Sequence, residues 1–263
     1  MSQISNDQLL AMLGDTDQER IESTTPRLIP IVFHRGDPTK MPTKKNPNDP
    51  GLSWRGGYYI SKEDAAKLPA DMVACGWTED SFVVQSTGKE IEVWYRPTLT
   101  VSALNCARRQ WIVNLVENNT HYFPWSQGEQ AGQFAQANGK SQNGKMHQPV
   151  IVKGMEEAGV MMLTFDGHAQ MAFTGTGAYY ATGVMTTFNR VVIAAANALA
   201  EKKAKEVGAP VRRWDTYSHW LTIGTSVNED GTPKFTEVGK VQKSNTVLPV
   251  PVGLDAGKVD PMT

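Results

Sequence analysis

The stretch Val211–Pro251, VRRWDTYSHWLTIGTSVNEDGTPKFTEVGKVQKSNTVLPVP, decides how the rest of the chain is read. After Arg212, Arg213 and Trp214 it enters a β-rich run through Tyr217, Trp220, Leu221, Thr222 and Ile223. It then turns at Asn228-Glu229-Asp230-Gly231 and leaves by a second β-rich run from Phe235 to Val241. Polar turn residues ending in Gly between two such runs predict a long hairpin. One arm carries Tyr217, His219 and Trp220, and the other carries Lys234, Lys240 and Lys243. Ammonium groups suit phosphates and flat rings suit unstacked bases, so the hairpin holds the ingredients of a single-strand-binding surface. The same rings can equally be core, with the lysines on the solvent side.

Composition sets the bounds around this hairpin. A chain of 263 residues with 40% hydrophobic content has enough apolar surface for a globular core. Lys plus Arg number 26 against 27 Asp plus Glu, a net charge of −1, so any grip on a polyanion must come from a local patch. Cys75 and Cys106 lie far apart and outside any CxxC spacing, which fits a reducing compartment and speaks against a zinc site. No basic, apolar signal opens the chain, and no run approaches the roughly 18 apolar residues of a membrane span. These features predict a cytoplasmic protein that engages no membrane.

Residues 1–25, polar apart from Leu9, Leu10, Met12 and Leu13, read as a flexible leader; 26–252 as a single β-rich domain; and 253–263 as a tail. The four prolines between His34 and Pro50 predict a loop. Ser61 with Asp64 forms a capping box for a short helix that ends by Pro69. Strands are expected at 28–33, 81–85, 91–96, 98–104 and 110–115, with later ones at 150–152 and 160–165. Residues 120–148, rich in Gly, Gln, Asn and Ser, read as a long surface excursion. One amphipathic helix is expected from Met185 to Glu206, with Phe188, Val191, Val192, Ala195 and Leu199 as its buried stripe and Gly208 and Pro210 as its stop. Short strands at this spacing predict a mainly β fold with minor α, an OB-like or Greek-key barrel with long hairpins.

Cations and rings coincide elsewhere too, at Trp54-Arg55 with Tyr58, at Trp94 and Arg96, and at Arg108-Arg109-Gln110-Trp111. A guanidinium can contact phosphate and stack on a base, and Trp and Tyr are sequence-tolerant platforms. With Trp220, Lys240 and Lys243 from the hairpin, these residues form the candidate nucleic-acid-binding set and are expected to converge on one face. Of Arg108 and Arg109, adjacent on a strand, one should meet phosphate while the other packs elsewhere. A structural reading stays open beside this one: Trp94 and Trp111 as core, Arg96 and Arg109 paired to acids across the sheet.

Catalytic and metal signatures are absent from the sequence. The five histidines are scattered, and Asp166-Gly167-His168 reads more readily as a turn than as a ligand pair. Neither HExxH nor GxSxG occurs, and the glycines at Gly175, Gly177 and Gly183 lack the Lys-Ser/Thr ending of a phosphate loop. The expectation is a non-enzymatic protein with no cofactor and no metal.

The order of Gly57-Tyr58-Tyr59-Ile60, Gly76-Trp77, Arg108-Arg109-Gln110-Trp111, Trp220-x-x-x-Gly224, Pro233-Lys234-Phe235-x-x-Val238-Gly239 and Ser244-x-x-Val247-x-Pro249 resembles uncharacterised single-stranded-DNA-binding-like proteins of cyanobacteria and mobile elements. The likeness spans most of 26–252. It implies an OB-like barrel that binds single-stranded DNA, or RNA by the same chemistry, with self-association into a homo-oligomer as a further expectation. The C-terminus from Asp255 to Thr263 lacks the dense acidic tip of the bacterial single-strand-binding pattern, so recruitment of partner enzymes is not implied. The alternative is a phage or plasmid structural or assembly protein whose aromatic surfaces anchor other proteins, since Trp, Tyr and Arg also dominate interfaces.

Overall fold

The computed structural model describes residues 28–44, 47–84, 87–105, 107–115, 119–239 and 243–254. The expected leader, nearly all of the tail, Cys106 and Lys240 lie outside them. The sheet is organised around β8 (Gln142–Val152), whose even-numbered side chains from Gly144 to Val152 are buried. On one side β8 pairs antiparallel with β9 (Met161–Asp166). On the other it is shared: β6 (Arg108–Asn114) takes its first half and β5 (Leu99–Ala103) its last three residues, while β7 (Thr120–Pro124) pairs beyond β6.

The remaining strands of the sheet are β1 (Pro30–His34), β2 (Gly57–Ser61), β3 (Thr78–Val83), β4 (Glu90–Arg96), β10 (Leu221–Thr225) and β13 (Pro249–Pro251). They complete a mixed sheet of eleven strands in the order β13-β10-β5-β8-β9-β1-β2-β4-β3, with β1 and β9 parallel. The protein is therefore mainly β, as expected. The barrel is not: β13 and β3 end the path without pairing to each other, and the sheet stays open.

One face of this sheet carries the core. Ile31, Phe33, Tyr58, Ile60, Met146, Val150, Leu163, Phe165, Leu221 and Ile223 are buried there. They pack under α4 (His168–Thr174), α5 (Val184–Phe188), a π-helical turn (Asn189–Ile193) and α6 (Ala194–Val207). At the far end of the opposite face a smaller cluster of Leu52, Val93 and Tyr95 lies under α1 (Leu52–Arg55). The Asp80 carboxylate accepts from the Leu52 N–H at 2.8 Å, satisfying a donor that a helix start leaves unpaired. The Ser61 cap is formed as read: its hydroxyl accepts from the Asp64 N–H at 3.1 Å at the head of α2 (Lys62–Ala65). Among the described residues no helix is long and apolar enough to cross a membrane.

Three expectations need correction. The long hairpin is not formed. Its turn exists, with Gly231 donating to the Asn228 carbonyl at 3.0 Å and a bridge from Val227 to Pro233. Pro233 sits at a non-hydrogen-bonded position, so pairing continues past it to the Lys234 N–H, which donates to the Ser226 carbonyl at 2.9 Å. The arms separate there because the Ser226 N–H donates to the Leu248 carbonyl at 2.8 Å. β10 joins β5 and β13 in the main sheet, while β11 (Thr236–Val238) pairs with β12 (Ser244–Thr246) in a separate ribbon.

Residues 120–148 hold β7, α3 (Gly128–Ala137) and the start of β8 rather than an irregular excursion. The buried side of α3 is made of Ala131 and Ala135, one turn apart, with Phe134 against His121 and Phe123. Such small residues hide an amphipathic helix from a reading based on apolar bulk.

In the late helix Val184, Phe188, Val192, Ile193 and Ala196 are buried, yet Leu199 is 51% exposed. The π turn at 189–193 inserts an extra residue into the helical repeat, so the buried stripe shifts by one position beyond it.

Candidate nucleic-acid interface

The candidates chosen from sequence do not form one surface. Tyr58 is buried on the helix-covered face, where its hydroxyl donates to the Gly224 carbonyl at 3.4 Å and burial pushes its phenol far above the ordinary range. Trp54 is buried as well. Both are packing rings and present no face to a base, which corrects their place in the set. Arg55 is paired with Asp49 at 2.5 Å and lies over the Trp54 ring. Trp94 is half-buried against the core beneath Lys62. Arg96 donates to the Cys75 carbonyl at 3.0 Å and covers Trp77, and burial lowers its pKa.

Arg109 and Trp111 share the helix side of β6. The Trp111 indole is stacked on Trp125, with centroids 4.2 Å apart and planes within 5°, and donates to the Trp125 carbonyl at 3.0 Å. Arg109 lies over Trp125 in turn, 5.3 Å from its centroid. Lys243 is ion-paired with Glu237 at 2.8 Å on the separate ribbon. Strand alternation and pairing out of sequence order therefore scatter most of the set over both faces and both ends.

Arg108 and Trp220 do fall together, on the face that the core helices leave uncovered. The register sets Arg108 opposite His147, Gln110 opposite Lys145 and Ile112 opposite both Asn143 and Tyr122. Directly paired residues point the same way, so Asn143, Lys145, His147, Pro149 and Ile151 follow one another along this side of β8, with Lys153 just beyond its end. At its far end the Lys153 ammonium lies 5.6 Å from the centroid of the Trp220 ring. Beside it the hydroxyls of Thr100 and Thr222 bond at 2.9 Å. Arg108 is exposed and Tyr122 is 61% exposed, while Lys145, His147 and Trp220 are half-buried. From Lys145 to Lys153 the strand spans roughly 26 Å at ~3.3 Å per residue.

The centre of this band is a hydrogen-bonded imidazole. His147 Nε2 lies 3.4 Å from the Gln110 amide nitrogen, and Nδ1 lies 3.2 Å from the Thr164 hydroxyl. An amide NH2 can only donate, so Nε2 accepts and the ring proton sits on Nδ1, directed at Thr164. Burial lowers the His147 pKa, and neighbouring Lys145 lowers it further, against an opposing pull from Asp166. This keeps the ring neutral. Asp166 touches solvent, yet the surrounding protein displaces much of its hydration and raises its carboxyl, with Lys145 and His147 pulling back. His34, on the same face, is pushed down to about 4, first by burial and then by Arg35. The cations along the band are then Arg108, Lys145 and Lys153, with Asp166 acting on Lys145 and, beside Lys153, Glu156, whose carboxyl the Gly154 N–H and then Lys153 help to hold below the usual range.

Tyr122, Lys145, His147 and Lys153 were missed because most of them lay in the presumed excursion. The alternation Asn143-x-Lys145-x-His147 was the available signal for a strand with one polar side. His168 neighbours the Tyr179 hydroxyl at 3.5 Å rather than forming a ligand pair with Asp166, and no group of His, Cys, Asp or Glu able to hold a metal occurs among the described residues. Compared with known proteins, the chain matches no family model, no curated sequence and no solved structure.

Proposed function

We propose that this chain binds single-stranded nucleic acid, DNA foremost, along the uncovered side of β8, without catalysing a reaction on it. The observation that carries the reading is the coincidence of Arg108, Lys145 and Lys153 with Trp220 and Tyr122 on one helix-free stretch of sheet. Cations spaced along an extended strand can follow a phosphate backbone, and a ring at each end can take an unstacked base. The amides of Gln110 and Asn143 lie between and can bond base edges or sugars in any sequence. Cys75 carries a free thiol, in keeping with a cytoplasmic setting.

Fluorescence anisotropy with labelled oligo-dT, oligo-U and duplex across a salt series tests this. Single strands should bind more tightly than duplex, and affinity should fall with salt as counterions are released. Equal affinity for duplex, or no binding at low salt, would remove the proposal. The assembly-protein reading draws on a different observation, the apolar groups Leu199, Val211, Trp214 and Tyr217 exposed on and beside α6. It takes precedence if no strand binds.

A further inference from the structure

The charge of this nearly neutral chain is segregated. Between Arg190 and Asp215 the sequence carries six Lys and Arg against three carboxylates. The segment after α6 is strapped back along that helix: the Trp214 N–H donates to the Asn197 side-chain oxygen at 2.6 Å, the Asn197 amide donates to the Trp214 carbonyl at 3.2 Å, and the Thr216 hydroxyl donates to Asn189 at 2.8 Å. The two Asn197 bonds hold the backbone at Trp214, whose ring meets the buried His219 edge-on with centroids 5.4 Å apart and stays partly in solvent. Trp214 is 41% exposed, and Arg213 reaches Glu201 only at 3.7 Å with most of its side chain in solvent. The strap continues to β5, where Ser102 donates to the Tyr217 carbonyl at 2.7 Å.

The opposite charge gathers at the other end of the sheet. Strands β3 and β4 form an open notch of about 440 Å³, lined by Lys62, Glu79, Asp80, Ser81, Glu90 and Glu92. Asp80 is committed to the start of α1, and Glu90 accepts from the Ser81 hydroxyl at 2.6 Å. Lys62, 3.3 Å from Glu79, is the lining cation, so the notch keeps an excess of negative charge. Glu79 pairs with Trp94 across the strands, which sets a half-buried ring beside these carboxylates. Six strand spacings separate β5 from β3. At ~4.8 Å each that is roughly 29 Å, so the strap of one chain cannot reach its own notch.

We propose that the protein assembles with copies of itself head to tail, Arg212, Arg213 and Trp214 of one copy entering the notch of Glu79, Glu90 and Glu92 on the next. The two surfaces complement each other in kind, guanidinium groups flanking a ring against carboxylates flanking a ring. Two different patches meeting is a heterologous contact, and repeated it builds open chains or rings rather than a closed symmetric dimer. The inference is independent of nucleic-acid binding. Carboxylates at a sheet edge also deter indiscriminate strand pairing, and the test separates that role from docking.

Sedimentation velocity of the full chain, stripped of nucleic acid, decides it at low and high salt. The wild type should form species larger than a dimer as concentration rises at low salt and should dissociate at high salt. A chain with Arg212→Glu and Arg213→Glu should stay monomeric, as should one with Glu90→Lys and Glu92→Lys, each with an unchanged circular-dichroism spectrum. A chain carrying all four reversals should assemble again, because the attraction is restored with its sign exchanged. A monomeric wild type, assembly insensitive to the paired reversals, or failure of the fourfold reversal to restore assembly in folded protein would each overturn the proposal.

Discussion

Trp125 lies flat on Trp111, and the pair rests where Gly144 of β8 leaves room for it. A Cβ at residue 144 would stand 3.2 Å from the Trp125 ring and 1.7 Å from the amide nitrogen of Gln170, a buried side chain with little freedom to retreat. Gly144→Val should therefore lower stability by about 1–3 kcal/mol through overpacking. A thermal melt checks this, and an unchanged melting temperature would show that the stack is not seated on β8 as described.

The π turn makes a paired prediction on one helix. Val192 is buried and Leu199 exposed, so Val192→Asp should cost roughly 3–5 kcal/mol as an unpaired buried charge. Leu199→Asp should fall within about 0.5 kcal/mol of wild type. Equal penalties in urea titrations would mean that the stripe continues without a register shift.

His34 and His147 predict loss of stability in acid. Both have folded pKa values below the ordinary 6.5, that of His34 at about 4, with burial the leading cause for each. The unfolded chain therefore takes up protons first, and stability is present above the unfolded value and is lost as pH falls from 6.5 toward 4. Asp166, exposed yet with its carboxyl raised by lost hydration, acts in the opposite sense at the lower end of this window. Urea midpoints should decline from pH 7 to pH 4.5, less steeply in His34→Gln. Midpoints that hold level over that range would contradict the buried, neutral imidazoles.

Trp220 separates stacking from charge. Removing the ring beneath Lys153 should weaken binding to oligo-dT by about 1–3 kcal/mol with little change in salt dependence. Isothermal titration of Trp220→Ala at two salt concentrations measures both quantities. A large change in salt slope with no loss at fixed salt would assign this end of the band to charge alone.

Much of the architecture was legible before the structure. The strands from β3 to β6, the Ser61 cap and the late helix follow from alternation, capping and periodicity acting locally. Pairing was not legible. β10 could join β5 and β13 only through contacts distant in sequence, and the hairpin ends where the Ser226 N–H turns to the carbonyl of the distant Leu248. The site was half visible for the same reason. Arg108 and Arg109 were read as pointing to opposite faces, and they do, since Arg109 covers Trp125 while Arg108 sits opposite His147. Which rings share a face with Arg108 depends on the path of β8, whose first half was hidden in a Gln- and Gly-rich segment.

The salt slope of single-strand affinity in three variants tests the central claim most directly. Log affinity for oligo-dT against log salt should flatten by about one charge in Arg108→Ala and by about two when Lys145→Ala is added. Arg109→Ala, on the helix side of the same strand, should leave the slope as in wild type. A slope that is zero in the wild type, or one that responds to Arg109→Ala but not to Arg108→Ala and Lys145→Ala in folded protein, would contradict binding along the uncovered side of β8.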